Sequence, residues 1–168
     1  MKIILMLCLP CITLLFPFSL FAEKTKKVSI EYTYIVPENT SIEEAKKMAD
    51  LGIDFLAAGI GNIHGPYPKG WKGLKFDALE NLSKACQIGM VLHGGSGIPK
   101  DQIQKAISLG ISKININTEL QQANAKAIWK FIESGEAKKG KNFDPRKLYA
   151  SGIIAMRETV LEKIEELG

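Results

Sequence analysis

Two rhythms of apolar and polar residues alternate along the chain. Nearly unbroken apolar runs at 53–60 (IDFLAAGI), 90–93 (MVLH) and 113–117 (KININ) predict short strands buried on both faces. The β-branched and aromatic run at 28–36 (VSIEYTYIV) predicts a further strand. Between them the apolar spacing turns helical. Ser41 with Glu44 three positions on forms a capping box ahead of IEEAKKMADLG, which Gly52 ends. Further helices are predicted over 76–86, from Pro99 to Gly110, over 119–132 with Trp129 on the buried side, and over 146–166 with Gly152 as a weak point. Residues 61–73 form a loop rich in glycine and proline. Strands alternating with helices imply a parallel sheet with helical crossovers. That fits either a small open sheet or part of a (β/α)8 barrel. A whole barrel takes about 250 residues, so this 168-residue chain is not one by itself.

Residues 1–22 break the rhythm. MKIILMLCLPCITLLFPFSLFA has one lysine, a long apolar run and Ala22 before EKTKK, the pattern of a secretory signal. A membrane anchor and a mis-started reading frame are the competing readings, since about 20 apolar residues can span a bilayer. Cys8 and Cys11 form a C-x-x-C, but inside the apolar leader they lack the context of a redox or zinc motif. That leaves Cys86 alone in the body and no disulfide framework. With 46% hydrophobic and 24% charged residues the body is globular in composition, and the net charge of +4 is mild. The lysine clusters at 24–27 and 138–141 read as solvated loops. No arginine-rich helix or basic–aromatic interleaving points to nucleic acid.

Candidate chemistry gathers in the loops after the buried strands: GNIHG, HGGSG and NINTE. In a parallel sheet all three emerge at the same edge, where such folds keep their sites. His64 and His93, the only two histidines, therefore converge as a candidate metal pair, most readily for zinc. Gly94, Gly95 and Ser96 suit an anion, because glycine lets backbone N–H groups approach and serine adds a donor. A tight turn that needs glycine for its shape alone is the alternative. Asn115, Asn117 and Thr118 surround the end of the next strand, with Ile114 and Ile116 on the opposite face.

In order and spacing, GIGNIHGPYP, VLHGGSGIP, ININTEL and the later DPR resemble the C-terminal half of class II fructose-bisphosphate aldolases, within the zinc-dependent ketose-bisphosphate aldolases. The resemblance covers 28–168. It implies a partial (β/α)8 TIM barrel, about the last four βα units with C-terminal helices, behind the hydrophobic leader. By matching positions it implies that His64 and His93 are two of three histidine ligands of a zinc ion. Gly65, Gly94, Gly95, Ser96, Asn117 and Thr118 would hold a substrate phosphate. Asn115 would lie against the dihydroxyacetone-phosphate portion, and Arg146 would serve the substrate of a neighbouring subunit in an oligomer. The family cleaves a ketose bisphosphate between its third and fourth carbons. Zinc polarises the ketone, and an aspartate moves the proton of the cleaved hydroxyl.

The departures from the family pattern are specific. The acid/base aspartate and the remaining zinc histidine belong to the family's N-terminal half, and this sequence has no third histidine. Glu31 matches the first glutamate of a family strand reading V-E-A-E, but Thr33 stands at the second and PENT replaces the loop beyond. No complete catalytic set is on the chain. Three readings follow: an aldolase half that works with an N-terminal half from another polypeptide, a non-catalytic phosphate-binding or assembly subunit, or a gene fragment. The leader points to export or membrane attachment, whereas the resemblance points to the cytoplasm.

Overall fold

The computed structural model describes residues 4–6, 31–33 and 40–168. Strands β1 (Ile4–Met6), β2 (Glu31–Thr33), β3 (Phe55–Ala57), β4 (Gly89–Leu92) and β5 (Ile111–Asn115) form one five-stranded sheet in the order β1-β5-β4-β3-β2. Every pairing is parallel. The register sets Ala57 beside Val91 and Leu92 beside Ile114, so the carboxyl ends of β3, β4 and β5 lie side by side.

Helices supply the crossovers for local reasons. In α1 (Ile42–Ala49) Ser41 Oγ accepts from the Glu44 N–H at 3.2 Å and donates to the Glu44 carboxylate at 2.8 Å, which is the expected capping box. Helix α2 (Phe76–Cys86) stops at Gln87, the one described non-glycine residue with a left-handed backbone, φ 54°. Pro99 opens α3 (Lys100–Ser108), and Gly110 at φ 118° turns the chain directly into β5. Helix α4 (Thr118–Glu133) is followed by a 3-10 turn at Glu136–Lys138, then α5 (Pro145–Leu148) and α6 (Ala150–Leu167).

Leu56, Leu92 and Ile114 from the strands and Leu79 and Ile103 from the helices have no exposed surface and form the centre of the core. Met90, Val91 and Leu92 are all buried in succession, as expected of a strand covered on both faces. Cys86 is buried among these groups, and that burial pushes its thiol above the ordinary range, with Lys46 opposing and Asp50 adding. Alkylation of Cys86 is expected to be slower by about a hundredfold or more in the folded chain than in denaturant. Peptide-resolved mass spectrometry of the labelled chain checks this, and equal rates would contradict the burial.

Several expectations need correction. The third buried strand runs over Ile111–Asn115, two residues earlier than its apolar run suggested. Trp129 is 65% exposed. The face of α4 turned towards the protein carries Leu120, Ala123, Asn124, Ala127, Ile128 and Phe131, and Trp129 lies off it. Gly152 is a contact rather than a weak point. A methyl group there would lie 2.0 Å from Asn124 Oδ1, so its absence lets α6 approach α4 closely. The predicted helix over 146–166 is two helices, α5 and α6, meeting at Tyr149. Of the 28–36 strand, Glu31–Thr33 is seen and the remainder lies outside the described residues. The leader at 1–22 likewise lies outside them except for Ile4–Met6, which adds an edge strand beside β5. Among the described residues no helix is long and apolar enough to cross a membrane.

Candidate metal and phosphate site

The three loops converge as the parallel sheet requires. A cleft of about 320 Å³ at the carboxyl edge is lined by His64, Gly65, His93, Gly94, Ser96, Asn115, Ile116, Asn117 and Thr118. The His64 and His93 rings lie 5.3 Å apart between centroids, inclined at 51°. Asn115 Nδ2 is 3.0 Å from His93 Nε2 and 3.1 Å from Nδ1, so the asparagine amide sits against the imidazole. The Oδ1 atom of the same side chain is buried without a hydrogen-bond donor. Such an acceptor is costly to leave empty, by roughly 1–3 kcal/mol, and suits a ligand that brings a hydroxyl or amine.

A strap formed by the 61–73 loop holds the two histidine loops together. Asn62 Oδ1 accepts from the Ile60 N–H at 2.9 Å while its Nδ2 donates to the His93 carbonyl at 3.0 Å. Tyr67 donates its hydroxyl to the Gly94 carbonyl at 2.9 Å and accepts from the Ile63 N–H at 3.3 Å. Burial raises the Tyr67 phenol above its ordinary range, against the Ile63 N–H, so the hydroxyl stays protonated. The Trp71 indole N–H donates to the Gly61 carbonyl at 2.8 Å and its ring packs on Tyr67 at 4.1 Å. Asn62 and Tyr67 stand within GIGNIHGPYP, but nothing in the sequence assigns a role to them or to Trp71. The only available signal was the concentration of hydrogen-bonding aromatic and amide groups within a loop otherwise rich in glycine and proline.

The glycine–serine turn divides its labour. Gly94 takes φ 66° with its Cα directly against the Ile63 carbonyl, a position only glycine fits. The Gly95 N–H donates to the Asn115 carbonyl at 2.9 Å, so Gly95 ties two loops together and does not offer its N–H to the cleft. Ser96 is 6% exposed, and its Oγ accepts from the N–H groups of Asn117 and Glu119, each at 3.3 Å. It therefore caps α4 from a neighbouring loop, since Asn117 itself provides no side-chain cap. With its lone pairs so engaged, the Ser96 hydroxyl has its proton to give. Arg146 stands apart from the cleft lining. Its side chain is 89% exposed, its guanidinium pairs with Asp144 at 2.6 Å, and the pairing pulls the Asp144 carboxyl below the usual range.

As a donor set for a metal, the site supplies two neutral-capable imidazoles close enough to share one ion. Among the described residues no group of three histidine, cysteine, aspartate or glutamate side chains could hold one.

Fold and site together define a parallel α/β protein whose polar residues collect at the carboxyl ends of its strands. Within that class the chain belongs to the class II fructose-bisphosphate aldolase family: the model described as "Fructose-bisphosphate aldolase class-II" matches residues 23–168. It is 53% identical over 137 residues to a fructose-bisphosphate aldolase of Streptococcus pneumoniae, covering 78% of this chain and 47% of the relative. It is 52% identical over 136 residues to the enzyme of that name from Mycoplasma pneumoniae, covering 78% and 46%. Among solved structures it resembles the YdjI aldolase of Escherichia coli K12, with TM-score 0.69 and 34% identity over 84% of this chain and 50% of that one. The fructose-bisphosphate aldolase of Campylobacter jejuni matches with TM-score 0.63 and 27% identity over 77% and 45%. The chain thus spans about half the length of the curated relatives it matches.

Proposed function

We propose that the chain is the C-terminal half of a zinc-assisted aldolase site, competent for ketose-bisphosphate cleavage when an N-terminal half completes it. The observation that carries this reading is one cleft that joins the paired imidazoles to the glycine–serine turn. On this reading the parallel sheet is the second half of a (β/α)8 barrel, whose sites lie at this edge.

His64 and His93 would hold the ion, with Asn115 packed against the His93 ring. Zinc, when bound, supplies a Lewis acid for the substrate carbonyl. Ser96 would donate its hydroxyl to the substrate phosphate, with Gly65, Gly94, Asn117 and Thr118 around it, and Gly95 would hold the turn in place. Asn115 Oδ1, buried and without a donor, is suited to accept from a substrate hydroxyl in the dihydroxyacetone-phosphate portion. Arg146, exposed on the short helix α5, would act on a neighbouring copy's substrate in a homo-oligomer. The proton-transferring aspartate and the third zinc ligand would come from the complementing half, since catalytic zinc sites use three protein ligands.

A second reading, a phosphate-binding subunit without catalysis, is favoured by the two-histidine donor set among the described residues. The 1–22 segment reads by composition as a leader or anchor, yet Ile4–Met6 within it pairs with β5. Mass spectrometry of the native N-terminus separates removal of that segment from retention.

Mixing the chain with the first half of the Streptococcus pneumoniae aldolase tests the main reading. Zinc-dependent cleavage of fructose bisphosphate is the expected result, and His93→Ala should weaken zinc binding by more than about a hundredfold. An inactive mixture, or zinc uptake unchanged by His93→Ala, would overturn it. Phosphate binding that persists without zinc in an inactive mixture would support the second reading.

A further inference from the structure

Among the described residues Glu119 is the acidic residue that lines the cleft at the glycine–serine turn, where an anion is to bind. It shares a small cleft with Gly65, Ser96, Gly97 and Thr118. Its Oε1 accepts from the Gly97 N–H at 2.6 Å, which fixes the residue next to Ser96. The other oxygen, Oε2, is buried and lacks an aligned hydrogen-bond donor. Its partner is a charge: Lys163 Nζ lies 2.9 Å away as an ion pair.

Lys163 comes from α6 and is itself well covered, with 13% of its side chain exposed. It pairs a second time with Glu166 at 2.8 Å. The Glu166 carbonyl in turn accepts from Gln104 Nε2 at 2.5 Å, anchoring this end of α6 to α3. Burial works against the charge on Lys163, but the Glu166 and Glu119 carboxylates outweigh it and hold the ammonium above the ordinary lysine range. Lys163 therefore stays protonated throughout the physiological range.

We propose that Lys163 is a positioning residue for the phosphate site: it neutralises Glu119, so that the carboxylate can hold the Gly97 backbone without repelling the anion bound beside it. This rests on the phosphate role given above to Ser96. A carboxylate is a good acceptor for fixing the loop and a poor neighbour for a phosphate. The buried lysine keeps the first property and cancels the second. The C-terminal helix thereby becomes part of the site without touching its ligand.

Titration calorimetry of the full chain with inorganic phosphate tests the pairing. Lys163→Met leaves the Glu119 charge uncompensated and should weaken phosphate binding about tenfold, whereas Lys163→Arg should keep it within about threefold. Adding Glu119→Gln to Lys163→Met removes the charge but preserves an acceptor for Gly97, and should restore affinity to within about threefold of the original. Simple loss of packing at Lys163 predicts no such rescue. If Lys163→Met does not fold, Glu119→Gln alone decides: with Lys163 already compensating the carboxylate and keeping its pair with Glu166, phosphate affinity should stay within about threefold, and a tightening of about tenfold or more overturns the proposal. Ser96→Ala separates the two levels. If the parent chain binds phosphate no better than Ser96→Ala, the phosphate reading itself fails and the role of Lys163 fails with it. If Ser96→Ala weakens binding while Lys163→Met leaves it intact, or if Glu119→Gln gives no rescue, only the positioning role is lost.

Discussion

Gly94→Ala is expected to destabilise the chain by roughly 3–5 kcal/mol, through a backbone clash added to a strained dihedral. The new methyl would lie 1.8 Å from the Ile63 carbonyl oxygen and 2.8 Å from its carbon, with φ at 66°. No side-chain rotation relieves that contact, because the obstacle is main chain belonging to the strap that carries His64. Small domains have only about 5–15 kcal/mol of stability in all, so the variant should be marginal at room temperature. Gly65→Ala is the matched control. Its φ is 91°, yet nothing lies within 4 Å of the added methyl, leaving only the cost of the left-handed backbone, about 1 kcal/mol. Urea unfolding followed by circular dichroism, with Cys86 labelling as a second reporter, separates the two. Equal shifts for both variants would mean that the approach of the two histidine loops is not as tight as described.

Ile114→Ala should lose about 2–5 kcal/mol, the usual range for emptying a fully buried site. Ile114 has no exposed surface and lies on β5, paired with Leu92 on the neighbouring strand. Its Cγ2 also sits where a side chain on Gly95 would go, 2.6 Å from that position. Gly95→Ala alone therefore overpacks the core. Combined with Ile114→Ala it places a methyl into the space just vacated. The double variant should be more stable than the sum of the two losses by about 1 kcal/mol. Strict additivity in urea midpoints would show that the turn and the core do not share this space.

The parts of the fold legible from sequence were those in which local chemistry and burial agree. Helix α1 shows its capping box in Ser41 and Glu44, and α2 appears at the expected Phe76–Cys86. β5 was misplaced because Ile116 is buried, 1% exposed, although it lies beyond the strand. Apolar periodicity records burial, and burial continues here after hydrogen bonding to the sheet has stopped. Trp129 was misplaced for the converse reason: an aromatic residue at helical spacing need not face the partner helix. The convergence of His64 and His93 was legible because parallel strands send their following loops to one edge. The roles of Asn62, Tyr67, Glu119 and Lys163 were not. Each acts through a partner 22 to 44 residues distant, apart from the local bonds Asn62 makes to Ile60 and Tyr67 to Ile63 and the local pair of Lys163 with Glu166. No periodicity or motif encodes such a pairing; it exists only after the sheet has brought the loops together.

The strand order has a consequence for how the chain is made. Ile4–Met6 precedes β2, β3 and β4 in the chain, yet its neighbour in the sheet, Ile111–Asn115, follows only after all three have been synthesised. At about 5–20 residues per second, β1 waits several seconds for the edge it will pair with. The β2–β3–β4 portion can assemble in chain order during that interval, each strand beside the one before it. β5 then arrives to receive β1 on its far side, closing a loop that spans most of the polypeptide, the kind of pairing that is slow to find. The β1–β5 pairing should accordingly be among the last of the described strand pairings to form.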